Sequence, residues 1–294
     1  MIVISTIVST ITALFSITTF LVNLQLLFCL YISKTIKREP TLVLFYVRFA
    51  VDSLIGVLNL AMTFFTLIQN FNLPVDLDSH QSIVFNIIWT STNVMGIRDL
   101  LSIVINLDRV LSVLIPIVYR NSRKNCSNFI LTIIVFCYPV LTHLVLLKVC
   151  DFKFNFPPGC IYAKCFFNKC YNDYGIEFAI ITQSLSALFS LTIAVKLYLL
   201  NKFKAWSRNK DLTRANYLAL LDTVVVVIFD VIPSTIINYF PPPSEFGSVY
   251  FFFRMGGYSV EAYLGQRSLK RRKVNSWNMT KKLRWVNNFI DYKK

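Results

Sequence analysis

The stretch Leu107-Asp108-Arg109-Val110, running on to Pro116 and Tyr119-Arg120, sets an acid–arginine pair at the end of a long apolar segment that begins near Ile83. A proline stands seven positions after the arginine and a tyrosine ten positions after it. An ion pair at the end of a membrane helix can be held by its neighbours or released to meet a partner. That is the chemistry of a switch, not of a catalyst. The dipeptide Asp-Arg carries no information alone; its spacing to Pro116 and Tyr119 does.

Other ionisable side chains stand inside apolar runs. Asp52 is eleven residues in from Thr41, and Arg98 is eleven residues before Arg109. At about 1.5 Å per helical residue, both lie roughly 16 Å from the same end of the bundle. Asn23, ten residues before Ser33, falls at that level too. A charge at mid-bilayer costs about 2.5–3.5 kcal/mol on insertion scales, so such residues pair or face a cavity. An Asn23–Asp52–Arg98 cluster joining three helices is therefore expected, and reversing both charges should restore what either single reversal destroys. Holding the bundle together explains it at least as well as switching does. A second set comprises Arg254 with Asp222 and Asp230. Asp230 could face a ligand or simply neutralise Arg254. Asp99, next to Arg98, points to another side of its helix, and Glu261 reads as a local charge partner.

Cys150, Cys160, Cys165 and Cys170 fall in the longest stretch between apolar runs. Four cysteines there read as two disulfides with three possible connectivities, bridging a lid over an outer pocket. Zinc is the competing reading, but no nearby histidine supports it. Cys29 and Cys137 stand in apolar runs and read as packing. No H-E-x-x-H, G-x-S-x-G or P-loop occurs. The chain is therefore not expected to be an enzyme, and no cofactor or metal is implied.

The elements that must position these residues are membrane helices. Of 294 residues, 55% are hydrophobic and 15% charged, with mean hydropathy +0.57. A soluble domain carries about 25% charged residues. Apolar runs cover roughly 4–32, 41–69, 81–117, 129–147, 176–200, 216–240 and 246–265. Each can cross a hydrocarbon core of about 30 Å. They are continuous, not alternating, which favours helices over a barrel. The stretches after the first, third and fifth runs, and residues 266–294, are rich in Lys and Arg; those after the second and sixth have none. The positive-inside rule then places the N-terminus outside and the C-terminus inside. The fold class is an all-α seven-transmembrane bundle, with a receptor domain at 1–265 and a basic cytoplasmic tail at 266–294. The net charge of +15 is spent on orientation, so no nucleic-acid partner is called for. The tail's Arg267–Lys273 run suits contact with anionic membrane lipid. The sequons at Asn125 and Asn278 both fall on the inner side and should carry no sugar.

The order D-R-V-L-S-V-L-I-P-I-V-Y-R resembles the stretch closing the third helix of rhodopsin-like G-protein-coupled receptors. More of the chain is similar to the nematode serpentine chemoreceptors of class BC (Srbc). Features carrying the resemblance are the four-cysteine stretch, Ala215–Asp222, Phe229-Asp230-Val231-Ile232-Pro233, and Glu261-Ala262 followed by Arg267–Arg271. Several rhodopsin-like marks are missing. Val84 and Phe85 stand where a cysteine would open the third span, the seventh span lacks N-P-x-x-Y, and Val231 replaces a tryptophan. Arg98 takes the space of a sodium site. The resemblance implies a receptor that binds an external small molecule and signals to a heterotrimeric G protein from the plasma or ciliary membrane of a sensory cell. In that reading Asp108, Arg109, Pro116 and Tyr119 form the coupling switch. A small-solute transporter or channel is the rival class; seven spans do not divide into the two repeated halves a transporter would show.

Overall fold

The computed structural model describes residues 2–34, 42–71, 80–123, 128–154, 160, 163–202, 218, 220–221, 224–239, 249 and 251–269. Helix α1 spans Ile2–Tyr31, α2 Val43–Asn70 and α3 Gln81–Leu114. A short α4, Pro116–Arg123, follows α3 directly. The fourth apolar run is divided into α5 (Asn128–Phe136), α6 (Tyr138–Leu144) and a π-helical turn, Val145–Val149. Then come the short α7 (Ala163–Phe166) and the long α8 (Lys169–Lys202). Helical residues 224–226 pass into a second π-helical turn, Val227–Val231, and on into α9, Ile232–Tyr239. Residues 251–269 form α10. Counted by continuous or directly successive segments, the described helices make seven rods of a membrane-spanning bundle. Val3–Tyr31, Val43–Asn70, Asn128–Val149 and Lys169–Lys196 are each long and apolar enough to cross a bilayer. Helix α3 has the length, 34 residues, but buries Arg98, Asp99, Asp108 and Arg109.

The helices are amphipathic in the sense a lipid solvent requires. On α1, Ser9, Thr12, Ser16, Thr19 and Asn23 are buried, while Leu14, Leu21 and Phe28 are exposed. Lipid tails are as apolar as leucine, so small and polar residues, not large apolar ones, mark the packed face. The hydroxyls of Thr12 and Ser16 donate to the carbonyls four residues back at 2.7 and 2.9 Å. Helix α2 meets this face at Gly56, where a Cβ would stand 2.9 Å from the Ser16 carbonyl oxygen. Only glycine permits that approach.

Three apolar layers stack along the bundle. One gathers Leu26, Leu30, Phe45, Ile105, Val110 and Leu269. The middle one holds Ile55, Met95, Leu101, Tyr138, Met255 and Tyr258. The third joins Phe85, Ile88, Leu146, Phe152, Phe167 and Tyr171 around the disulfides.

Local chemistry accounts for the breaks. Ile115 precedes Pro116 and has φ −129° and ψ 63°, as expected where the proline ring disfavours helical geometry in its predecessor. Pro116 then starts α4, where its missing N–H costs nothing. The expected single run 81–117 is therefore two helices. Pro139 stands in the first turn of α6, dividing what was read as one fourth span. In the π-helical turns the Cys150 N–H reaches the Val145 carbonyl at 2.9 Å, and the Ile232 N–H reaches that of Val227. Each is a bond across five residues in place of four.

Candidate functional site

A cavity of about 320 Å³ opens between α3, α6, α8 and α10. Tyr138, Phe167, Tyr171, Tyr174 and Phe251 bring aromatic rings to its walls. The ring of Tyr138 stacks on Phe178 with centroids 4.8 Å apart, and Phe167 lies 4.8 Å from Tyr171. Gly96 makes room for Tyr138 on α3, since a Cβ there would meet the ring at 2.1 Å. Asp99 and Arg254 also line the cavity. Arg254 Nη2 donates to both Asp99 carboxylate oxygens at 2.7 Å.

That pair belongs to a buried charge network reaching across four of the rods. Arg98 donates to Glu261 Oε2 at 2.7 Å and to Asp52 Oδ1 at 3.2 Å. Arg48 donates to the same Glu261 oxygen at 2.7 Å and lies 3.9 Å from Asp52. Asp230, carried inward on the π-helical turn, stands 3.6 Å from Arg254 and 4.0 Å from Arg98. The Arg254 Nε donates to the Tyr258 hydroxyl at 2.6 Å, and the Arg98 guanidinium lies 3.9 Å from that ring's centroid. All seven charged residues are buried. Exchanging bulk water for several opposite charges and a ring face is how a bundle tolerates them.

The expected cluster of Asn23, Asp52 and Arg98 is thus corrected in its membership. Asp52 and Arg98 do meet. Asn23 is buried, but its amide donates to the Thr19 carbonyl on its own helix at 2.9 Å, and its Oδ1 has no hydrogen-bond partner. Depth along a helix sets the level of a residue, not the side it faces. Arg48 and Glu261 complete the cluster instead. Glu261 is a charge partner, as read, but across the bundle rather than locally. Asp230 and Arg254 are brought together, with Asp99 the closer partner of the arginine. Asp222 lies outside the described residues.

At the other end of α3, Arg109 Nη2 bonds the Asp108 carboxylate. The Tyr119 hydroxyl donates to the second Asp108 oxygen at 2.9 Å. The break before Pro116 folds α4 back so that Tyr119 reaches Asp108 across eleven positions. All four residues singled out in this stretch are therefore joined in one local arrangement, with Pro116 supplying the turn.

The cysteines pair as Cys150–Cys170 and Cys160–Cys165. Cys170 is not in a loop but in the first turn of α8, which begins earlier than its apolar run. The first bridge therefore ties the end of the fourth rod to the start of the fifth, beside the cavity wall. Among the described residues no group of His, Cys, Asp and Glu is arranged to hold a metal ion.

Sequence reasoning missed a buried polar residue of the cavity wall, Gln183. It is 7% exposed, lines the cavity, and its Nε2 has no hydrogen-bond partner. Nothing in one sequence separates a wall glutamine from a surface one. A model of the family described as serpentine type 7TM GPCR chemoreceptor Srbc matches residues 1–273. No curated protein matches the chain.

Proposed function

Because the chain belongs to the serpentine seven-helix chemoreceptor family Srbc, we propose that it binds an external small molecule in the aromatic cavity and signals to a heterotrimeric G protein. The observation that carries this reading is continuity. The cavity wall includes Asp99 and Arg254, and these are members of the buried network that ties α2, α3, the π-helical turn and α10 together. A ligand in the cavity would touch the charges that fix how those helices pack. A shift in that packing would be felt at Asp108 and Arg109 on the same rigid α3.

The disulfide end of the bundle faces the exterior in this reading, and the Asp108 end faces the cytosol. Arg109 is the residue offered to the G protein, and Asp108 holds it back, itself held by Tyr119. The basic run from Arg267 contacts anionic lipid at the same surface. The cell is a sensory one and the membrane its plasma or ciliary membrane.

A ligand panel applied to cells expressing wild type and Arg109→Ala tests this, with G-protein activation as the readout. Arg109→Ala should abolish agonist responses while surface expression is retained. A response of undiminished size in that variant would remove Arg109 from the coupling mechanism.

A further inference from the structure

The buried charge network does not balance. It sets three guanidiniums, Arg48, Arg98 and Arg254, against four carboxylates, Asp52, Asp99, Asp230 and Glu261, all of them buried. With every member ionised, the set carries one negative charge in excess. Among the described residues the one further buried cation is Arg109, which bonds Asp108 at the other end of α3. The network meets the cavity at a single place, since Asp99 and Arg254 line it and the other five members do not. Arg254 offers no unanswered positive charge there, because it lies 2.7 Å from Asp99 and 3.6 Å from Asp230. An excess charge held away from water is costly until an opposite charge comes near it.

We propose that the cavity takes an organic cation, an ammonium group on an apolar body, whose charge compensates the excess negative charge of the network. This rests on the chemoreceptor reading above and adds the class of ligand. Coulombic attraction falls only with the inverse of distance and is weakly screened at a buried site. The cation therefore need not touch the carboxylates that lie outside the wall. The rings of Tyr138, Phe167, Tyr171, Tyr174 and Phe251 act in the same direction. An ammonium group is attracted over an aromatic face within about 6 Å, most strongly where water is excluded. An anion would meet repulsion from both sources. The volume of about 320 Å³ lies within the range of small-molecule sites, about 300–1,000 Å³. Gly175 locates the site in a test, because it lines the cavity and a Cβ there would meet nothing within 4 Å.

The test uses the full chain in uncharged detergent micelles with tritiated benzyltrimethylammonium, competed by neopentylbenzene, its uncharged twin in shape, and by benzylsulfonate. The cation should bind more tightly than the hydrocarbon, and the sulfonate should not compete. Asp230→Asn removes the excess charge without altering the wall, and Arg254 and Arg98 keep Asp99, Asp52 and Glu261 as partners. That variant should bind the cation about tenfold more weakly, the order one nearby charge contributes in surroundings of protein-like dielectric. Its affinity for neopentylbenzene should not change, which also shows that the cavity is intact. Gly175→Leu should block both ligands. No cation binding to wild type, competition by the sulfonate as strong as by the unlabelled cation, or cation binding that survives Gly175→Leu would overturn the inference. An unchanged cation affinity in Asp230→Asn, with the hydrocarbon still bound, would do so as well. Cells separate the inference from the reading it rests on. A response to an anionic agonist that Gly175→Leu blocks would sink the ligand class and spare the receptor. Cation binding as expected, with no G-protein response to any member of the ligand panel, would do the reverse.

Discussion

Asp108 accepts from two donors at once, the Arg109 guanidinium and the Tyr119 hydroxyl. The tyrosine bond fixes the carboxylate's orientation, and the carboxylate in turn holds the arginine at a 4% exposed position. Removing only the hydroxyl leaves the ring and α4 in place. If the pair is a restraint, Tyr119→Phe weakens it by about 1 kcal/mol, the typical net worth of a hydrogen bond, or about a fivefold shift in population. Ligand-independent nucleotide exchange on a G protein in membranes carrying Tyr119→Phe should therefore rise about fivefold. A basal rate equal to wild type would show that Tyr119 shapes the turn without restraining the switch.

Between elements, the charge network decides which substitutions can compensate. Two residues at one level invite a simple swap, but Arg98 also bonds Glu261 at 2.7 Å, closer than its 3.2 Å bond to Asp52. Asp52→Arg with Arg98→Asp would set a carboxylate against Glu261, so the double variant should be as poorly expressed at the surface as either single one. Recovery to wild-type levels would mean that the Asp52–Arg98 contact outweighs the one through Glu261. Glu261→Gln offers the cleaner measurement. It leaves Arg48 and Arg98 facing a neutral amide, and breaking a buried pair this way costs about 3–5 kcal/mol. The detergent-solubilised protein should show a markedly lower Tm; a Tm within a degree or two of wild type would make the network dispensable to folding. Much of this was legible in the chain. The seven rods follow from apolar runs, and the burial of Asp52, Arg98, Asp230 and Arg254 from the cost of a charge in lipid, whereas the third apolar run continues straight through Pro116, where the helix in fact breaks. What was not legible is rotational. Asn23 shares a level with Asp52 but its amide turns to Thr19. Asp230 is carried inward on a π-helical turn that no apolar pattern encodes. Gln183 is distinguished only by the neighbours it lacks.

At the scale of the molecule, the two ends of the bundle differ in kind. One is closed by aromatic packing and two disulfides; the other carries the Asp108 arrangement and precedes the basic stretches at 120–124, 202–214 and 267–273. Disulfides persist in oxidising surroundings, and Lys and Arg near the ends of spans stay on the cytoplasmic side. These are independent physical causes, one of redox chemistry and one of membrane insertion, and both argue for the orientation proposed above. Lys153 and Lys169 are exposed at the disulfide end, which makes the orientation measurable. An impermeant amine-reactive reagent applied to intact cells should modify both lysines and spare Lys281 until the cells are permeabilised. Asn278 should remain without N-glycan in the same preparation. Labelling of Lys281 in intact cells with Lys153 protected would invert the bundle. It would put the aromatic cavity on the cytosolic side and Arg109 out of reach of any G protein.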